Sequence, residues 1–135
     1  ITSKLIENNN REKRLQANLG GIALTVKALS LVYLCKEFIE PRKVTDFSKR
    51  VYDANIDVLT QVFQMLTPNE REIVLSNIKD SAEIYASGVS SEVAWNIEAT
   101  LSGEESNLIY PLYSPGLVLA LFKGVYEVAK NKRLS

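Results

Sequence analysis

The sequence predicts an all-α fold, in which residues 1–135 form a single compact bundle of about six helices. Most apolar residues recur at intervals of three and four, which is the helical period, and β-strand patterns are almost absent. Hydrophobic residues make up 46% and charged residues 24%, which is ordinary for a globular chain and too apolar for disorder. Two strongly apolar segments, 22–39 and 108–128, are expected to form the central helices.

The N-terminal third of the chain predicts two helices. Residues 1–17 favour a charged helix that has few apolar anchors and is loosely attached. Gly20 and Gly21 indicate either a break or a close helix contact inside one longer helix. Residues 22–39 are apolar nearly all round, so we expect this helix to be buried on several sides and to end at Pro41.

The next predicted helix covers about residues 46–66. Thr45 or Asp46 is expected to cap it, because both side chains can accept a hydrogen bond from a free helix N–H group. Its apolar residues share one face: Phe47, Val51, Ala54, Val58, Val62 and Leu66. The pattern therefore predicts an amphipathic helix with one buried side.

A helix start signal follows at Thr67. The Thr67 side chain can accept a hydrogen bond from the Glu70 amide, Glu70 can reach back, and Pro68 suits the first helical position. We expect this helix to continue to about Ser87, where Gly88 supplies a left-handed stop. Its predicted inward residues are Ile73, Val74, Ile78, Ala82 and Tyr85.

Two shorter helices complete the predicted bundle. Ser90 or Ser91 is expected to cap a short helix that ends at Leu101. A loop over residues 104–114 follows, and Pro115 opens the last helix, which ends among basic residues that suit its dipole.

The composition argues against catalysis. The chain has no histidine, which removes most metal sites and every histidine-based general base. No nucleotide-binding glycine motif or nucleophile motif is present, so no enzyme activity, cofactor or small-molecule substrate is predicted. Asp53 and Asp57 lie four residues apart and could hold a divalent cation with a third carboxylate, but a solvated helix face is favoured.

Charge is balanced over the chain but separated along it. Residues 1–50 carry ten basic and five acidic side chains, a net charge of +5. Residues 51–105 carry two basic and ten acidic ones, net −8, and residues 106–135 carry four basic and one acidic, net +3. Both ends can cover the acidic middle within one fold, or the acidic helices can meet a basic partner or a second copy.

Trp95 marks a candidate partner-binding site. On an ideal helix it points away from the apolar stripe of its own segment, so it is either sandwiched by a second layer or exposed beside Glu92 and Glu98. An exposed tryptophan ringed by polar groups is a common interface anchor. Tyr110 and Tyr113 belong to a proline-stiffened loop that either rims the same surface or packs against the last helix.

Residues 66–74 read Leu-Thr-Pro-Asn-Glu-Arg-Glu-Ile-Val. This run resembles the opening of LuxR-type helix-turn-helix domains, in which Leu-Thr-Pro-x-Glu-x-Glu starts the scaffold helix, but the short turn and second helix do not follow. Residues 88–90, Gly-Val-Ser, followed by Ile97 resemble a helix-turn-helix turn. The implied recognition helix, 91–101, carries two glutamates and no Arg or Lys, so nucleic-acid binding is disfavoured.

The leading hypothesis is a non-catalytic helical domain for protein–protein interaction, regulatory or adaptor in character, that self-associates or docks on a larger protein. The alternatives are a protein that binds an apolar ligand or a membrane, which is open but not favoured, and a helix-turn-helix regulator. Cys35, the single cysteine, is expected to be a buried small hydrophobe. Together with the polar first residues, it weakly indicates a cytoplasmic location.

Overall fold

The computed structural model describes residues 2–85, 91–104 and 113–132, and all regular structure in these ranges is helical. The elements in chain order are α1 (Thr2–Cys35), a short 3-10 helix (Lys36–Phe38), α2 (Pro41–Gln64), α3 (Pro68–Tyr85), α4 (Ser91–Leu101) and α5 (Pro115–Ala129). The all-α class is confirmed. The described residues form five α-helices instead of about six, because the first two predicted helices are one.

Helix α1 is continuous through its two glycines. A Cβ atom built on Gly20 or Gly21 would meet nothing within 4 Å, so these glycines mark neither a break nor a close helix contact. Leu19 and Ile22, on either side of the pair, are buried in the core. Because each glycine costs only about 1 kcal/mol relative to alanine, this packing is enough to keep the helix intact.

Helix α2 begins at Pro41, five residues earlier than predicted. The missing N–H of Pro41 costs nothing in the first turn, and the amides of Lys43 and Val44 donate to the Glu40 carbonyl at 3.0 and 3.2 Å. Pro41 therefore starts α2 instead of ending α1, and the predicted caps lie inside the helix. The buried side is also rotated from the predicted one and consists of Val44, Ser48, Tyr52, Leu59, Val62 and Phe63.

Helix α3 starts as predicted, with a reciprocal capping box. The Thr67 amide donates to Oε1 of Glu70 at 2.8 Å, and the Glu70 amide donates to Oγ1 of Thr67 at 3.2 Å. This local cap is the structural role of the Leu-Thr-Pro-x-Glu run. Val74 and Ile78 are buried as predicted, whereas Ile73 is exposed. The predicted stop at Gly88 lies outside the described residues.

Helix α5 is the central helix of the bundle and packs against α1, α2 and α3. It begins at Pro115 as predicted, and ten of its fifteen residues are buried. It packs tightly against α3 at Gly124, where a Cβ atom would lie 2.6 Å from Cγ1 of Ile78. Most residues of α5 are therefore buried within the fold.

Candidate functional site

Helix α1 carries a second apolar face on the side that points away from the bundle. Its contacts with α2 and α5 bury Leu15, Ile22 and Leu29. On the opposite side, Leu24 (68%), Leu31 (64%) and Leu34 (73%) are mostly exposed, and Phe38 (89%) is exposed in the short 3-10 helix that follows α1. The prediction that this segment is buried on several sides is wrong, because the described helices that pack on α1 cover one side of it.

We name this exposed stripe the outer face of α1. It consists of the four large side chains and of small residues, namely Ala17, Gly20 and Gly21 before Leu24, and the half-buried Ala28 and the exposed Cys35 after it. Leu24 and Leu31 are seven residues apart on α1 and therefore lie nearly in line along the helix. At 1.5 Å per residue, the outer face is about 30 Å long. Cys35 is exposed within it, so the prediction of a buried thiol is wrong, and the cytoplasmic location stays a prediction.

The outer face holds few polar groups that need a partner. On the flank of α1, Ser30 donates its hydroxyl to the Val26 carbonyl at 2.7 Å, and the hydroxyl of the buried Thr25 donates to Gly21 at 3.0 Å. These bonds satisfy both hydroxyls within the helix. Lys27 is exposed on the outer face between Leu24 and Leu31 and is its one charged residue.

Among the described residues, one helix is long and apolar enough to cross a membrane by length and composition, and it is Thr2–Phe38. Its most apolar window has a mean hydropathy of 1.5, and 22% of that window is buried. However, α2 packs against α1 and exposes charged side chains such as Arg50, Asp53 and Asp57. A bilayer surrounding α1 would also have to accommodate these charges, at a cost of about 2.5–3.5 kcal/mol each near its centre.

Trp95 forms a second exposed surface on α4. Its side chain is 61% exposed, and Glu92 and Glu98 are exposed on the same helix, which matches the exposed alternative of the sequence analysis. Trp95 and Glu98 line a shallow hollow whose rim includes Glu104. The other side of α4 buries Ile97 and further residues against the core. The structure thus places an aromatic side chain among carboxylates at the surface.

Tyr113 does not belong to that surface. It is buried, and its ring packs edge-on against Tyr52 with 5.3 Å between ring centroids and 74° between planes. Nζ of Lys49 lies 5.2 Å from the Tyr113 centroid. Burial is the main cause that raises the pKa of Tyr52. Tyr113 therefore packs against α2 just before α5 begins, and Tyr110 lies outside the described residues.

Part of the acidic middle segment is neutralised within the fold. Nζ of Lys132 lies 2.8 Å from Oε1 of Glu70, and this contact, followed by the Thr67 amide, lowers the pKa of Glu70. Asp53 pairs with Lys49 at 2.8 Å on the surface of α2. Within the described ranges, no three acidic, cysteine or histidine side chains are grouped as metal ligands.

A small apolar groove lies between α3 and α4. Leu75, Ile78, Ala94 and Ile97 contribute to its walls, and its volume is about 270 Å³. This is slightly below the roughly 300–1,000 Å³ typical of small-molecule sites. The outer face of α1 offers larger exposed side chains, so it is the stronger candidate for an interaction site.

Comparisons with protein-family models, with curated proteins and with solved structures found no match. Sequence reasoning recognised the excess of apolar residues in 22–39 but missed the outer face as a distinct surface. The sequence does carry a signal for two faces. Apolar residues recur every seven positions in two separate series, one that contains Ile22 and one that contains Leu24.

Proposed function

We propose that this chain is a non-catalytic helical interaction domain that self-associates through the outer face of α1. The observation that carries the proposal is the continuous exposure of Leu24, Leu31, Leu34 and Phe38. Single exposed leucines are normal on protein surfaces, but a contiguous row of large apolar side chains is typical of an interaction site. The absence of histidine from the sequence and of catalytic motifs supports the non-catalytic part of the proposal.

The expected affinity is moderate. Complete burial of one large apolar side chain contributes about 1.5–3 kcal/mol, so covering the four on each of two copies contributes about 12–24 kcal/mol. Association costs about 4–15 kcal/mol in lost translational and rotational freedom, which offsets much of this gain. We therefore expect a dimer that forms at micromolar concentrations.

The test compares two kinds of apolar-to-charged substitution by sedimentation velocity. Leu24→Glu/Leu31→Glu places carboxylates on the outer face, whereas Ile73→Glu changes an exposed apolar residue on α3. The wild type and Ile73→Glu are expected to dimerise, and the double variant is expected to remain monomeric with unchanged helical circular dichroism. A monomeric wild type, or a double variant that still dimerises, contradicts the proposal.

Lipid is the main competing occupant of an apolar helix face. A flotation assay with vesicles of phosphatidylcholine and phosphatidylglycerol tests whether lipid, instead of a second copy, covers the outer face. We expect that the wild type does not float with the vesicles at neutral or at acid pH. Flotation of a protein that is monomeric in solution would assign the outer face to a membrane and reject self-association.

The Trp95 surface is a second candidate site, suited to a basic protein partner. Its support is charge complementarity, because Glu98 and Glu104 share a hollow with the exposed Trp95, and Glu92 is exposed on the same helix. A lysine-rich model peptide tests this chemistry by titration calorimetry. Weak, salt-sensitive binding that Trp95→Ala reduces supports the site, and binding that Trp95→Ala leaves unchanged rejects it. The acidic character of α4 also supports the view that it is not a DNA recognition helix.

A further inference from the structure

We infer that the hollow beside Trp95 binds an arginine side chain of a basic partner, with the guanidinium stacked on the indole and hydrogen-bonded to Glu98 and Glu104. This inference rests on the proposed Trp95 surface and names the group that this surface recognises. The observation is that one small hollow joins an exposed aromatic ring to two carboxylates.

Helix α4 brings most of the lining residues to one face. Trp95, Glu98 and Ser102 are three and four residues apart, so they lie side by side along the helix. The Ser102 amide donates to the Glu98 carbonyl at 3.0 Å, which continues the helical turn to this residue. The hollow has a volume of about 190 Å³, below the roughly 300–1,000 Å³ of small-molecule sites, so it suits a single side chain.

The turn that ends α4 brings Glu104 to the same hollow. Gly103 has a φ of 83°, in the left-handed region, and its amide donates to the Thr100 carbonyl at 3.1 Å. The Glu104 amide donates to the Ala99 carbonyl at 2.9 Å. These two bonds form a Schellman motif, so the backbone of Glu104 is fixed beside the last turn of α4.

The negative charge of the hollow has no counterion among the described residues. The C-terminal end of a helix carries partial negative charge, and the last turn of α4 contains no basic residue. Neither Glu98 nor Glu104 forms an ion pair in this part of the chain, although Lys79 lines the neighbouring groove with Glu98. A cation from a partner would therefore be attracted by both carboxylates and by the helix end.

Arginine suits this arrangement better than lysine. Its planar guanidinium can stack on an aromatic ring while the N–H groups at its edge donate to carboxylates. The lysine ammonium is compact and strongly hydrated, so it makes one of these contacts at the expense of the other. Because the hollow is open to water, we expect a dissociation constant of about 1 mM for a single arginine.

The experiment titrates the isotope-labelled protein with three blocked peptides, Ser-Gly-X-Gly-Ser, in which X is arginine, lysine or citrulline. The NMR signals of the backbone amides and of the Trp95 indole report binding. We expect the arginine peptide to shift the signals of Trp95 and Glu104 and to bind about three- to tenfold more tightly than the lysine peptide. Citrulline resembles arginine in shape but is uncharged, and we expect it not to bind.

Substitutions within and beside the hollow distinguish a defined site from general attraction. Trp95→Ala, Glu98→Gln and Glu104→Gln should each weaken binding of the arginine peptide about fivefold or more, and Trp95→Ala should also remove the preference over lysine. Glu92→Gln is the matched control, because Glu92 is exposed on α4 but does not line the hollow. It should change the affinity less than about twofold. All four side chains are exposed, and circular dichroism checks that each variant is folded.

The outcomes separate the inference from the site on which it rests. Equal affinities for the arginine and lysine peptides, both weakened by Trp95→Ala, would keep the basic-partner site and overturn the assignment to arginine. Equal losses for Glu92→Gln and Glu98→Gln would mean that only the net charge of α4 matters, and would overturn the inference. If no peptide shifts any signal, the Trp95 surface and the inference both fail, whereas self-association through the outer face of α1 is unaffected.

Discussion

Ile22 and Leu24 are two residues apart on α1 and lie on opposite sides of it, with Ile22 1% exposed and Leu24 68% exposed. A surface helix of a bundle needs one apolar side to join the core. Helix α1 has two, and α2 and α5 cover the side that holds Ile22. The side that holds Leu24 is the surface on which the proposed function depends.

The two sides of α1 predict different costs for the same substitution. Leu29→Ala removes a fully buried side chain and should lower the free energy of unfolding by about 2–5 kcal/mol. Leu31→Ala removes an exposed one and should change it by less than about 0.5 kcal/mol in the monomer. Urea unfolding at dilute, monomeric concentrations measures both. Similar losses for the two variants would mean that the outer face is covered within a single chain.

The glycines predict opposite responses to alanine. Gly20→Ala should raise the free energy of unfolding of the monomer by about 0.5–1 kcal/mol, because alanine favours the helix and its Cβ meets no atom within 4 Å. Gly124→Ala should lower it by about 1 kcal/mol, because the added Cβ lies 2.6 Å from Ile78 and the overlap outweighs the gain in helix propensity. Thermal unfolding measures the change in stability of each variant. A change in the same direction for both would contradict the close packing of α3 on α5.

The ion pair between Glu70 and Lys132 predicts a dependence of stability on pH. The pKa of Glu70 is held below its ordinary value of 4.5 by Lys132 and by the Thr67 amide. A carboxylate with a lowered pKa stabilises the fold above the unfolded value, and this contribution is lost as pH falls through the folded value. Glu70→Gln keeps an acceptor for Thr67 but loses the charge.

At neutral pH, Glu70→Gln should be less stable than the wild type by about 1 kcal/mol, since the pair is only partly shielded. Unfolding curves measured at a series of pH values should show this difference shrinking below pH 4.5. A difference that stays constant into the acid range would show that the charge of Glu70 does not contribute.

The fluorescence of Trp95 distinguishes the two candidate surfaces, the outer face of α1 and the Trp95 surface on α4. It is the only tryptophan of the chain, it is exposed, and it belongs to α4, which makes its main helix contacts with α2. Dimerisation through the outer face should therefore leave its emission maximum unchanged as protein concentration rises. A shift to shorter wavelength with concentration would place Trp95 in the dimer interface instead.

Lys27 predicts the salt dependence of the dimer. In a dimer through the outer face, each copy brings Lys27 as the one charged residue of this face, so the charges within the interface repel each other. Raising the salt concentration should screen this repulsion and tighten the dimer about two- to fivefold, and Lys27→Ala should do the same at low salt. Pairing of the acidic segment 51–105 with a basic end would instead weaken as salt is added. Sedimentation at two ionic strengths decides between them.

Local signals in the sequence predicted much of the fold. The capping box at Thr67 and Glu70 and the proline at the start of α5 depend on neighbours within one helical turn, so a sequence pattern can identify them. Pro41 misled the prediction because proline both ends one helix and begins another. The two glycines misled it because tertiary packing outweighed their weak helix propensity.

The candidate site was harder to predict, because exposure depends on the number and placement of neighbouring helices. The sequence of 22–39 is equally compatible with a fully surrounded helix and with one that is half covered. Trp95 had the same ambiguity, and in the described part of the chain its side chain is 61% exposed. Tyr113 was settled by its contact with Tyr52, which is 61 residues earlier and beyond the reach of a local pattern.

Sedimentation equilibrium of the wild-type protein over a range of concentrations tests self-association through the outer face most directly, with Leu24→Glu/Leu31→Glu measured alongside. The account predicts that the wild-type mass rises from 15.1 kDa towards twice that value at micromolar concentrations, while the variant stays at the monomer mass. A wild-type mass of 15.1 kDa at every concentration, or a variant that associates as strongly as the wild type, would contradict it.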